Sequence, residues 1–229
     1  MSENLEISAL DGSGNFAAYA AGPASARAGI VVIQEIFGVN AGIRSMVDRW
    51  GAAGYRAIAP DLFWRTDTAI QLDPDIPDQM QWAFGLYQSF DPDKGVADIE
   101  AAIKALRHAG CAKVGVVGYC LGGYLAYLCA TRTDSDASVG YYGVGIDGKL
   151  NESHAIARPL LLHIASRDGF VPAAAQARVH AELGGHARVT IHDYDADHAF
   201  ARATGSSRVD ALAEQADART MAFFAAHLG

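Results

Sequence analysis

The apolar run 114–117 passes directly into Gly118-Tyr119-Cys120-Leu121-Gly122, and that pentapeptide into the helix-like stretch 123–132. A strand joined to a helix through so few residues needs a sharp turn. The flanking glycines permit it, because a Cβ at those positions would clash. A chain that turns here holds residue 120 above the end of a buried strand, and the following helix covers that strand. This points to a layered arrangement of strands and helices. The residue held up is a cysteine, a side chain suited to covalent chemistry.

The rest of the chain repeats the alternation. Apolar runs at 16–20, 29–34, 55–59, 113–117, 138–142, 159–165 and 188–194 read as strands. The run 29–34 is continuous, as in a strand buried on both faces. Asn40 is placed to cap a helix whose apolar face is Ile43, Met46, Val47 and Trp50, and Gly54 is placed to end it. Asp91-Pro92 opens another, with Asp as cap and Pro at the first helical position. Its stripe is Val96, Ile99, Ile103 and Leu106. Val209, Leu212, Ala213, Ala216, Phe223 and Phe224 mark a long C-terminal helix. The pattern predicts one α/β domain over 1–229, three layers αβα around a mostly parallel sheet. Functional residues are then expected on loops leaving the C-terminal strand ends. The segment 63–90 fits poorly. Asp73-Pro74 and Ile76-Pro77 interrupt it, and Trp82, Phe84, Leu86 and Tyr87 crowd a short helical stretch. That stretch is either a helix packed on the sheet or a cap whose aromatic residues face a substrate.

Composition removes several function classes. Of 229 residues, 51% are hydrophobic and 19% charged, and no apolar run approaches the roughly 20 residues of a membrane span. The start, Met1-Ser2-Glu3-Asn4-Leu5-Glu6, lacks the basic-then-apolar order of a secretory signal, so a cytoplasmic location is expected. The net charge is −8 without a Lys/Arg cluster, which argues against nucleic-acid partners. It also means that an anionic ligand needs a local arginine. Cys111, Cys120 and Cys129 have no metal-ligand spacing and are expected as free thiols, Cys129 as a small core residue. The set His192, Asp193, Asp195 and His198 matches no compact metal motif. Neither a metal nor another cofactor is expected.

A cysteine nucleophile needs a base, and the base an orienting partner. In α/β-hydrolases the chain order is nucleophile, acid, histidine. After Cys120, Asp168 follows the strand 159–165 and His198 follows the strand 188–194. Each has a plain alternative, an Asp-Gly turn or a solvated loop histidine. Order and placement just past strands favour chemistry. His163 and His192 lie inside strands and read as packed or surface residues. Donors for a developing oxyanion are the backbone N–H groups of Leu121 and Ile36. Glu35 is a carboxylate directly after a buried strand. Beside a thiol it would disfavour the thiolate by like-charge repulsion and accept the proton when substrate arrives.

Four segments together resemble the dienelactone hydrolases: Gln34-Glu35-Ile36-Phe37-Gly38-Val39-Asn40, Gly118-Tyr119-Cys120-Leu121-Gly122-Gly123, Gly140-Tyr141-Tyr142-Gly143 and His198-Ala199-Phe200-Ala201-Arg202. The resemblance covers nearly the whole chain. It implies an α/β-hydrolase fold of about eight strands and a monomeric enzyme without a cofactor. It also implies a triad of Cys120, Asp168 and His198, a regulatory Glu35, and hydrolysis of dienelactone to maleylacetate in (chloro)catechol breakdown. Two arginines for the substrate carboxylate are implied as well. Arg202 matches one, Met80 stands at the place of the other, and the nearby aromatic positions correspond to Phe84 and Tyr87. Phe37 and Tyr142 complete the expected substrate contacts. One bidentate arginine can still fix a carboxylate, whereas losing a second charged contact costs on the order of 1.5–3 kcal/mol. Arg65 or Arg44 is a candidate replacement. Beside the lactone hydrolase stand two other readings: a broader esterase or thioesterase, motivated by Met80, and a redox-sensing or ligand-binding protein that keeps the fold.

Overall fold

A computed structural model describes residues 2–203 and 205–229. The chain divides into two compact units, residues 1–114 with 203–206, and residues 115–202 with 207–229.

In the first unit, β1 (Glu3–Ser8), β2 (Asn15–Ala21), β3 (Ala28–Ile33) and β4 (Arg56–Pro60) lie in the order β1-β2-β4-β3. β2 runs antiparallel to β1 and β4, and β3 pairs parallel with β4. β3 and β4 are almost wholly buried, which accounts for their continuous apolar sequence. Helix α1 (Ala41–Ala52) buries Ile43, Met46, Val47 and Trp50, and the Asn40 side chain accepts from the Ile43 N–H as its N-cap. Pro77 does not interrupt a helix; it starts one, α2 (Pro77–Ser89), from its first turn. α2 buries only Ala83 and Leu86 and leaves Trp82, Phe84 and Tyr87 exposed. Helix α3 (Pro92–His108) is capped by Asp91, which accepts from the Asp93 and Lys94 N–H groups.

The second unit is parallel throughout. β5 (Lys113–Tyr119, which begins at the unit boundary), β6 (Ala137–Tyr141), β7 (Leu160–Ala165) and β8 (Val189–Tyr194) lie in that order. Helix α4 (Leu121–Arg132) follows β5 and is buried on every side from Leu121 to Ala130. It lies close to β6 because glycines meet there: a Cβ on Gly123 would stand 2.4 Å from the Tyr141 carbonyl oxygen, and one on Gly140 would stand 2.7 Å from that of Gly123. Two of the glycine-rich segments singled out in the sequence are therefore the two sides of one backbone contact. A 3-10 segment (Ile146–Ala155), α5 (Ala173–Leu183) and α6 (Asp210–Leu228) complete the unit.

Under α6 lies a buried polar network. His163, on β7, bonds the Tyr194 hydroxyl at 2.8 Å and Thr220 Oγ1 at 2.9 Å. Tyr141 reaches the same Thr220 oxygen at 2.6 Å, and Arg219 donates to the Tyr194 oxygen at 2.9 Å. Burial, followed by the neighbouring His192 and Arg219, pushes the His163 pKa down to about 3, so the ring is neutral.

Candidate active site

Three loops of the second unit bring Cys120, His198 and Asp168 together. Cys120 sits in the β5–α4 turn with φ 57° and ψ −114°, a region side chains rarely adopt, at a cost of about 1–3 kcal/mol. Its N–H donates to the Tyr141 carbonyl at 3.0 Å. The turn closes because residue 118 has no side chain: a Cβ there would lie 1.9 Å from the Gly122 oxygen. Leu121 opens α4. N–H groups in a first helical turn have no carbonyl within the helix to bond, and that end carries partial positive charge.

Asp168 follows β7 and is buried. Its two oxygens are divided: Oδ1 accepts from the Phe170 N–H at 2.8 Å, and Oδ2 lies 2.7 Å from His198 Nδ1. His198 follows β8, in a turn where Ala199 has φ 64°. With Nδ1 committed to Asp168, the hydrogen bond to Cys120 falls to Nε2. The two loops are tied by backbone: Ser166 N–H donates to Tyr194 at 2.8 Å and Arg167 N–H to Ala196 at 3.0 Å. Arg167 also reaches Asp195 and Asp197. Burial alone would lower the His198 pKa. The Asp168 hydrogen bond and then Cys120 outweigh it and raise the value to about 10, so the imidazole is protonated at neutral pH.

Two aromatic rings pack on His198. Tyr142 is buried, has φ 39°, and lies 5.1 Å away. Phe170 lies 4.9 Å away. Sequence reasoning passed over Phe170, which stands in an ordinary Asp-Gly turn with no motif to mark it. Arg202 is buried at the end of the His198 turn, its N–H on the Ala199 carbonyl at 3.0 Å. The metal reading of His192, Asp193, Asp195 and His198 dissolves into separate pairs: His198 faces Asp168, His180 faces Asp193 at 3.0 Å, and Arg167 faces Asp195. Among the described residues no group of three or more His, Cys, Asp and Glu side chains has a metal-binding arrangement.

The first unit carries the other expected residues. Glu35, Ile36 and Phe37 are buried in the turn after β3. Gln34 anchors that turn, donating to the Glu35 carbonyl at 3.3 Å and accepting from the Leu62 N–H at 3.1 Å. Leu72 N–H reaches the Phe37 carbonyl at 2.9 Å. Met80, Phe84 and Tyr87 share one face of α2 at helical spacing, Met80 half-buried and the two aromatics exposed. Arg65 is held by Asp98 at 2.8 Å and Asp11 at 3.1 Å, and Arg44 donates to the Val39 carbonyl at 3.1 Å over the Tyr19 ring. Both candidate replacement cations are thus committed within their own unit.

Comparison with known proteins agrees with this picture. The profile of a family described as Dienelactone hydrolase family matches residues 16–228. A carboxymethylenebutenolidase of Pseudomonas putida is 41% identical over 229 residues, covering 98% of this chain and 97% of that one. A candidate carboxymethylenebutenolidase of Azospirillum brasilense is 44% identical over 235 residues, covering 99% of each. A solved structure from Klebsiella pneumoniae, described as a candidate dienelactone hydrolase, is 28% identical, with a TM-score of 0.81 over 98% of this chain and 99% of its own. The fold is that of the α/β-hydrolases, with eight mostly parallel strands and covering helices. No described helix is long and apolar enough to cross a membrane.

Proposed function

The chain belongs to the dienelactone hydrolase family and is a hydrolase. On that premise we propose that it opens a small carboxylate-bearing lactone, dienelactone to maleylacetate, through a thioester on Cys120. The observation that carries this reading is the 2.7 Å contact between His198 and Asp168 beside a cysteine held on a strained elbow. Cys120 Sγ attacks the lactone carbonyl carbon, and the ring C–O bond breaks as the thioester forms. The Leu121 and Ile36 N–H groups stabilise the oxyanion. The ring oxygen leaves as an enolate, which takes its proton either from the His198 imidazolium or from the incoming water. Water, relieved of a proton by the now neutral His198 or by the enolate, then cleaves the C–S bond, a second carboxylate leaves, and the sulfur regains its proton from Glu35. Glu35 receives the thiol proton when substrate arrives. Arg202 holds the substrate carboxylate, with Phe37, Met80, Phe84, Tyr87 and Tyr142 as further contacts. The same membership supports one hydrolase domain acting as a cytoplasmic monomer without a cofactor in the breakdown of aromatic compounds.

Cys120→Ala is expected to lower lactone hydrolysis by about 10⁴-fold or more, and retained turnover would remove the nucleophile assignment. Arg202→Ala is expected to raise KM for the anionic lactone by about tenfold or more while sparing neutral p-nitrophenyl acetate. Equal losses on both would make Arg202 structural. One observation favours a second reading, a broader esterase or thioesterase: the thioether of Met80 on α2 where a second cation was expected. A large preference of the parent enzyme for the neutral ester would select that reading.

A further inference from the structure

Phe170 is 55% exposed, more than any other large apolar side chain described as exposed. An exposed phenyl adds little hydrophobic stabilisation, so packing does not account for its place. Its ring lies 4.9 Å from that of His198 at an interplanar angle of 73°. Tyr142 meets the same imidazole at 5.1 Å and 67°. Both are edge-type contacts of the kind aromatic pairs prefer.

The positions of these two rings are fixed by backbone. The Phe170 N–H is held at 2.8 Å by one oxygen of Asp168, whose other oxygen faces His198 at 2.7 Å. One carboxylate thus sets both the imidazole and a ring packed on it. Tyr142 is held in the left-handed region by its N–H on the His163 carbonyl at 2.8 Å, and its ring is backed by Phe200 at 5.7 Å. A single hydrogen bond at Nδ1 leaves the imidazole free to tilt about that bond, and such a tilt carries Nε2 away from Cys120.

We propose that Phe170 is a positioning residue that, with Tyr142, blocks this tilt and keeps His198 Nε2 on the Cys120 sulfur. It acts through the histidine, not on the substrate. The proposal rests on the reading of Cys120 as nucleophile and His198 as its proton carrier.

The test compares Phe170→Ala and Phe170→Tyr on p-nitrophenyl acetate, an ester too small to need an extended apolar wall, with melting temperatures taken alongside. Phe170→Ala is expected to lower kcat by about tenfold or more while KM stays within about twofold, and Phe170→Tyr, which keeps the ring, to restore kcat. A parent-like kcat in Phe170→Ala overturns the proposal. So does a rise in KM as large as the fall in kcat, which marks a substrate contact, and so does a Tyr variant as slow as the Ala variant. If Phe170→Ala does not fold, Phe170→Leu carries the same test, since it keeps apolar bulk without the planar ring. Cys120→Ala on the same ester separates the two ideas. Retained turnover there removes the nucleophile reading, whereas an inactive Cys120→Ala beside a parent-like Phe170→Ala removes only the clamp.

Discussion

His163 and His198 belong to the same unit and are both largely enclosed, yet their protonation is opposite. His163 bonds the neutral hydroxyls of Tyr194 and Thr220 and, among the described residues, has no carboxylate bonded to it, and burial drives its pKa down to about 3. His198 suffers the same desolvation, but a carboxylate 2.7 Å away and the neighbouring Cys120 reverse it, to about 10. Burial therefore does not determine what a histidine does; the charge beside it does. One ring is a neutral strut between strands and a helix. The other holds a proton beside the Cys120 sulfur.

The sharpest way to break the contrast is Asp168→Asn, which removes the carboxylate beside His198. Turnover is expected to fall by roughly 10⁴-fold, and the basic limb of the pH–rate profile to move down from near 10 towards the acid side. Activity near the parent level with an unmoved basic limb would show that Asp168 does not set the state of His198. A smaller effect is expected from His163→Leu, which takes one partner from each of two buried hydroxyls and costs about 1–3 kcal/mol of stability. Equilibrium denaturation checks it, and kcat of the folded variant should stay near the parent value. The effect smallest at each step of measurement is a pH slope. The unfolded chain takes up a proton on His163 below 6.5, while the folded chain refuses it until about 3. The contribution is therefore full above 6.5 and drains as pH falls from 6.5 to 3, by at most about 1.4 kcal/mol per pH unit. His198 has the opposite sign: its contribution is full below 6.5 and is lost as pH rises through about 10. Melting curves of the parent and His163→Leu over pH 6.5 to 4 should converge as the parent loses this share. Parallel curves would mean that His163 is not held neutral.

Much of the fold was legible because local chemistry and global placement agree. Asn40 and Asp91 cap the helices that they announce, and the order Cys120, Asp168, His198 follows the ends of β5, β7 and β8. β1 was not foreseen, since Glu3, Asn4 and Glu6 make a polar strand that is mostly exposed. Helix α5 escaped because its alanine-rich sequence carries only a faint apolar stripe, with Ala175, Val179 and Leu183 buried. Two features of the candidate site had no signal at all. Nothing in a tyrosine announces φ 39° at residue 142, and nothing in an Asp-Gly turn announces the ring of Phe170 against a histidine. The burial of His163 depends on Thr220, 57 residues further along the chain, a relation no local pattern encodes.

The glycine contact between α4 and β6 has a consequence for how such a chain can change over evolutionary time. Where helix and strand meet through glycine backbone, that contact offers no side chain whose exchange could lever the helix outward or let it settle inward. The sulfur at the head of α4 is thereby insulated from drift in the hydrophobic interior. Exposed surfaces such as the aromatic face of α2 carry no such restraint. Descendants of this chain can acquire new surface preferences by rewriting those faces while the Cys120 sulfur stays where it is.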